Sequence, residues 1–141
     1  MDQSRGNETI LVVDDESEVR IMLQEQLKTF GFTVLVAEGG PEALKLSQEY
    51  PETIHLLLTD VLMPRMNGGT LAARMTSARP DIKVLYMSGF TPNMAVHHSV
   101  LDPGTAFLPK PFTPEILLRT IRVILDAPRS SERRASHEPL P

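Results

Sequence analysis

The sequence predicts a doubly wound α/β sandwich: a parallel five-stranded sheet with helices on both faces. Three observations carry that expectation. Five short apolar runs alternate with stretches whose apolar residues recur at helical spacing, the pattern of parallel strands buried on both sides. The chain of 141 residues suits one domain with an adequate core and leaves little room for a second. Charged residues stand directly after three of the runs: Asp14 and Asp15 after Ile10-Leu11-Val12-Val13, Asp60 after Leu56-Leu57-Leu58-Thr59, and Lys110 after Ala106-Phe107-Leu108-Pro109. In open α/β sheets the C-terminal edge of the strands is where ligands bind.

Each element has its own signal. The first strand is about Thr9–Val13, and the first helix runs from about Ser17 to Phe30 with Val19, Leu23, Leu27 and Phe30 on one face. Gly31 then fits a left-handed cap. Thr33–Ala37 reads as the second strand. Gly39-Gly40-Pro41 opens a helix that holds Leu44 and Leu46 and ends at Pro51, proline being suited to a first helical position. His55–Thr59 is the third strand, Gly68–Ala78 the third helix and Ile82–Met87 the fourth strand. A less apolar helix follows over about Pro92–Val100, then a tight turn at Asp102-Pro103-Gly104 and a fifth strand over Thr105–Leu108. The last helix is Pro114–Leu125, with Leu117, Ile121, Ile124 and Leu125 inward and Arg119 and Arg122 outward. Met22, Met75 and Met87 read as core filler. Right-handed crossovers place the helices on both faces, whereas strand order is not legible from periodicity.

Composition narrows the function classes. No apolar stretch approaches the roughly 20 residues that span a bilayer, and the N-terminus lacks the apolar region of a secretory signal. Zero cysteines exclude disulfides and thiolate metal sites and fit a reducing, cytoplasmic setting. A net charge of −4 argues against nucleic acid as a direct partner. The expected organisation is a flexible N-terminus over 1–7, a globular unit over 8–126 and a Pro-, Ser- and Arg-rich flexible tail or linker over 127–141.

The charged edge specifies a chemistry. Adjacent residues in a regular strand point to opposite faces, so Asp14 and Asp15 can approach one site only where the chain turns. One would then bind a cation directly and the other through water. Three crowded carboxylates raise one another's pKa unless a cation intervenes. An all-oxygen set without His or Cys favours a hard dication, and Mg²⁺ fits best. Lys110 supplies a point charge for a phosphate oxygen, and Ser88, ending Val84-Leu85-Tyr86-Met87, a hydroxyl at the same edge. Together they suit phosphoryl transfer, with Asp60 as nucleophile giving an acyl phosphate. Neither GxxxxGK[ST] nor GxGxxG is present, so the donor would be small or another protein.

Four motifs then carry a resemblance. Val12-Val13-Asp14-Asp15-Glu16, Asp60-Val61-Leu62-Met63-Pro64-Arg65-Met66-Asn67-Gly68, Met87-Ser88-Gly89 and Phe107-Leu108-Pro109-Lys110-Pro111-Phe112 resemble, in order and spacing, the receiver domain of two-component response regulators. The likeness runs from about Thr9 to Leu125. Ser88-Gly89-Phe90-Thr91, Val100-Leu101-Asp102-Pro103-Gly104 and the stretch from Phe107 to Pro114 are most similar to C-terminal receivers of hybrid sensor histidine kinases. The resemblance implies a flavodoxin-like (βα)5 fold with strand order 2-1-3-4-5. It implies Asp60 as phosphoacceptor from a histidine kinase or a histidine phosphotransfer protein, Asp15 as a direct Mg²⁺ ligand, Asp14 as an outer-sphere one, and Leu62 as the donor of a backbone carbonyl. It further implies that Ser88 and Lys110 contact the phosphoryl group, that Phe107 is the aromatic switch beside Ser88, and that Lys110-Pro111 is cis. Ser88 stands where threonine is commoner and Phe107 where tyrosine is equally familiar, so switching here would work by packing rather than through a phenolic hydrogen bond.

Other readings compete with these. An Asp-Asp pair after a strand can simply cap the next helix, and a strand phenylalanine is ordinary core. His55, His97, His98 and His137 are assigned no ligand or phosphoacceptor role. A second function class, a Mg²⁺-dependent phosphohydrolase, lacks an Asp-x-Asp arrangement and a cap segment; a third is a degenerate receiver serving as a static surface. Within the chain no DNA-binding or enzymatic output domain is expected, so it would act as a stand-alone receiver with a downstream protein target and weak self-association, or as part of a longer kinase. By itself it would catalyse only its own phosphorylation and dephosphorylation.

Overall fold

The computed structural model of the chain describes residues 7–88 and 106–127. The predicted helix over about 92–100, the turn at Asp102-Pro103-Gly104, His97, His98 and His137, and the tail from 128 onward lie outside the described residues.

Five apolar runs form one parallel sheet, β1 (Thr9–Val13), β2 (Thr33–Ala37), β3 (Leu56–Asp60), β4 (Lys83–Ser88) and β5 (Phe107–Pro109), ordered β2-β1-β3-β4-β5. The helices are α1 (Ser17–Thr29), α2 (Gly40–Glu49), α3 (Gly68–Ala78) and the C-terminal α4 (Pro114–Asp126). β1 and β3 lie next to each other at the centre, Val13 opposite Thr59, so their C-terminal ends deliver Asp14 and Asp60 side by side.

Period-two alternation divides the core into two layers. Ile10, Val12, Leu56, Leu58, Leu85, Met87 and Leu108 meet Leu23 and Leu27 of α1 and Leu117 and Ile121 of α4. Leu11, Val13, Leu57 and Tyr86 meet Ala43 of α2 and Leu71, Ala72 and Met75 of α3. Leu44 and Leu46 pack at the margin of this second layer, Gly40, Ala43 and Ser47 being the residues that α2 buries.

Helix ends match their local sequence. After Phe30, Gly31 adopts φ 100°; its N–H donates to Lys28 O at 3.0 Å and the Phe32 N–H to Leu27 O at 3.1 Å. That is the Schellman pattern, with the apolar Phe32–Leu27 pair both buried. Asn67 caps α3 by accepting the Thr70 N–H at 2.8 Å, and Thr113 caps α4 by accepting from Ile116 at 3.1 Å. At the far end of α4, Lys83 Nζ donates to the carbonyls of Ile124 and Leu125 at 3.0 and 3.2 Å and to that of Ala127, a cation at a helix C-terminus.

Two side-chain expectations are corrected. Arg122 does not project outward: its guanidinium grips both Glu8 carboxylate oxygens at 2.9 and 3.0 Å, reaches Asp126 at 2.6 Å and lies 6.0 Å from the Phe32 ring centroid. Its long stem crosses apolar surface to reach an acid 114 residues away, which helical periodicity does not reveal. Met22 is exposed rather than core, whereas Met75 and Met87 are fully buried, because α1 turns Leu23 and Leu27 inward instead. Strand bounds shift by one or two residues. β5 admits Pro109 because it is an edge strand, where a missing N–H costs least.

Candidate functional site

Both carboxylates of the first motif reach the same corner because β1 ends there. Asp14 continues the ladder, its N–H donating to Ala37 O at 3.3 Å, and is fully buried; Asp15 is exposed. Asp60 ends β3, with its side chain 14% exposed. One carboxylate oxygen from each of Asp14, Asp15 and Asp60 lies within 4.8 Å of the others.

Lys110 follows β5 and its ammonium reaches back over the cluster. Nζ lies 2.9 Å from Asp14 Oδ2, 3.8 Å from Asp60 Oδ2 and 4.0 Å from Glu16 Oε1. The Lys110 N–H donates to Ser88 O at 2.7 Å, and the Lys110–Pro111 peptide is cis. Ser88 is itself buried, beside Pro109 across the β4–β5 pairing. Phe107 pairs with Tyr86 two residues earlier and packs at the edge of the α2–α3 layer. Leu62 lies two residues beyond β3 with an exposed side chain.

Electrostatics at the cluster are uneven. Burial pushes Asp60 up from 3.8 to about 6; the charge of Lys110 opposes that rise, while Asp14 and, more weakly, Asp15 add to it. Burial also disfavours the charge on Lys110, but its hydrogen bond to Asp14 and the fields of Asp60, Asp14 and Glu16 outweigh that and hold the ammonium above its usual range. An acidic, all-oxygen pocket whose Asp60 carboxyl is pushed up to about 6 by burial and by its acidic neighbours fits a hard dication. The donor set therefore suits Mg²⁺.

Asp14 is held from two sides. Oδ1 accepts the Glu16 N–H at 2.9 Å, a turn contact just before α1, whose N-cap Glu16 makes no side-chain capping bond, while Oδ2 pairs with Lys110.

Four residues at the site were given no role from sequence, although Glu16 and Gly68 stand in the quoted motifs. Glu16 approaches Lys110, and Arg20 Nη1 donates to Asp14 O at 2.7 Å. Thr59, fully buried, donates from Oγ1 to Asp60 O at 3.0 Å. Gly68 N–H donates to Val61 O at 2.7 Å, and a Cβ there would run into the Asp60 carbonyl oxygen. Only Arg20 had a usable signal: four residues past Glu16, it returns over the same helical turn.

A polar hollow of about 680 Å³ opens at the opposite end of the sheet, lined by Thr9, Glu52, His55 and Arg79 among others. Its polar groups serve the fold. Arg79 donates to Ser47 Oγ and to the carbonyls of Ser47, Tyr50 and Glu52, and His55 Nδ1 accepts the Thr9 N–H at 2.9 Å.

Comparison with known proteins places this arrangement in context. The model of the response regulator receiver domain matches residues 10–122. The sensor kinase CckA of Brucella abortus is 35% identical over 121 residues, which is 86% of this chain but 13% of that protein. The response regulator receiver protein CpdR of the same organism is 34% identical over 118 residues, covering 84% of this chain and 97% of CpdR. A receiver domain crystal structure from Clostridium thermocellum superposes with a TM-score of 0.75 at 26% identity, over 84% of this chain and 94% of the other.

Proposed function

We infer the function from one premise: this chain belongs to the response regulator receiver domain family, and so is a receiver of two-component signalling. Domains of this kind interact with histidine kinases and downstream effectors. We propose Asp60 as the phosphoacceptor, taking a phosphoryl group from a phosphohistidine of a kinase or phosphotransfer protein. The observation that supports this reading is the approach of Asp14, Asp15 and Asp60 to within 4.8 Å beneath the Lys110 ammonium.

Asp15 and Asp60, with the Leu62 carbonyl, would hold Mg²⁺ directly and Asp14 through water; when bound, the ion neutralises charge on the phosphoryl oxygens. An Asp60 carboxylate oxygen attacks phosphorus as the P–N bond to the donor imidazole breaks, and the imidazole leaves with the electron pair. Lys110, already 3.8 Å from Asp60 Oδ2, follows the transferred oxygens as a mobile point charge. Hydrolysis later returns free Asp60, so the isolated chain acts on nothing but itself.

The added charge is the signal. Ser88 turns its hydroxyl to a phosphoryl oxygen, and Phe107 moves into the space released beside β4. The two arrangements are populations of one equilibrium, and the acyl phosphate favours one of them. A partner reads the altered face around β5 and α4. No helix among the described residues is long and apolar enough to cross a membrane; a cytoplasmic setting fits the phosphohistidine donor.

Incubation with acetyl phosphate and Mg²⁺, borohydride reduction of the acyl phosphate and peptide mapping test the assignment. Modification should fall on the peptide that contains Asp60 and require Mg²⁺. Label on any other acidic residue overturns it.

A further inference from the structure

We propose that Arg20 is a positioning residue for the cation: it pins the peptide between β1 and α1 so that the Asp15 carboxylate is preset for Mg²⁺. The inference rests on the reading of Asp14, Asp15 and Asp60 as the magnesium-binding set.

Asp14–Glu16 lies between regular elements, since β1 ends at Val13 and α1 begins at Ser17. Apart from the Lys110 ammonium on Asp14 Oδ2 at 2.9 Å and the first turn of α1, three hydrogen bonds hold it. The Asp14 N–H reaches Ala37 O at 3.3 Å, the Glu16 N–H reaches Asp14 Oδ1 at 2.9 Å, and Arg20 Nη1 reaches Asp14 O at 2.7 Å. The last is the shortest, and like the Lys110 contact it is made by a charged donor, the stronger kind. Arg20 is itself anchored, its backbone N–H donating to Glu16 O at 3.1 Å. Side chain and backbone together thus close a ring around Asp15, from Asp14 O through Arg20 to Glu16 O. Asp15 is exposed, and an exposed ligand that is not preset must lose conformational freedom when it binds.

The two cations at this corner do opposite work. Lys110 meets carboxylate oxygens and competes for them with a metal ion. Arg20 meets a carbonyl oxygen and orders the chain. Both are positive, so electrostatics alone predicts that removing either tightens Mg²⁺ binding. Positioning reverses the sign for Arg20.

Mg²⁺ titrations of the whole chain, followed by calorimetry, separate these cases for the wild type, Arg20→Met, Arg20→Lys and Lys110→Met. The expected result is that Arg20→Met weakens Mg²⁺ binding about tenfold or more, as loss of an outer-shell partner does. Arg20→Lys should recover part of the loss, and Lys110→Met should bind more tightly than the wild type. In EDTA, amide exchange at Asp15 and Glu16 should speed up in Arg20→Met while Ile10–Val13 keep their protection, a readout that needs no metal. Unchanged or tighter Mg²⁺ binding by Arg20→Met, with wild-type exchange at Asp15 and Glu16, overturns the proposal. If Arg20→Met does not fold, Arg20→Lys decides by the same two measurements. A wild-type chain that binds no Mg²⁺ at millimolar concentration overturns instead the magnesium reading on which the proposal rests.

Discussion

Lys110 Nζ stands 2.9 Å from Asp14 Oδ2, although 96 residues separate the two in sequence. Parallel strands bring them together, because every strand of the sheet ends at the same edge. Asp14 is fully buried, and this ion pair is what compensates its charge in the absence of metal. Lys110→Met should therefore lower stability in EDTA by about 1–3 kcal/mol, measured by urea unfolding. Its phosphate incorporation from acetyl phosphate should fall at least about tenfold, even though Mg²⁺ binds more tightly.

The carboxyl of Asp60 gives the metal-free protein a distinctive pH dependence. Its folded pKa of about 6 lies above the ordinary 3.8, so between those values the native state binds more protons than the unfolded chain. Stability in EDTA should accordingly decline as pH rises through that window and level off above about 6. Asp60→Asn removes the slope, and above pH 6 it should unfold at higher urea concentration than the wild type. Mg²⁺ affinity should run the other way, weakening as pH falls below about 6 and Asp60 takes up its proton. Calorimetric titrations across that range check the second half.

Gly68→Ala tests how tightly the loop after Asp60 is built. The new Cβ meets the Asp60 carbonyl oxygen, and the Gly68 N–H bond to Val61 O leaves the backbone little room to retreat. Overpacking of this kind costs about 1–3 kcal/mol. Displacing Asp60 by a fraction of an ångström should also slow phosphorylation by up to on the order of 10²-fold. Stability and labelling rate should fall together.

Gly31→Ala is the matching control at the other end of the molecule. Gly31 adopts φ 100° in the cap of α1, a conformation that costs a residue with a Cβ about 1–2 kcal/mol. Thermal unfolding should show that loss. Mg²⁺ affinity and labelling rate should stay at wild-type values.

The fold was legible because its signals are local and redundant. Leu56-Leu57-Leu58 has no reading but a buried strand in this context, and Gly31 and Pro41 mark helix ends by backbone chemistry. The charged edge was legible for the same reason: a parallel sheet converts the position after a strand into a shared location in space. What escaped depends on long-range side-chain geometry. The pairing of Arg122 with Glu8 joins the two ends of the domain, and no periodicity contains it. Asp14 was assigned from sequence to the acidic cluster, and the competing cap reading fails because Oδ1 meets the Glu16 N–H, before α1 begins. Thr59 acts through a backbone carbonyl, which leaves no mark on residue type, and Arg20 shows only as a helical-turn neighbour of Glu16.

Mass spectrometry of the intact chain after acetyl phosphate and Mg²⁺ treatment, wild type beside Asp60→Asn, tests the central claim most directly. The account predicts one phosphoryl group on the wild type, lost on addition of EDTA before the donor, and none on Asp60→Asn. Equal labelling of the two proteins would contradict it.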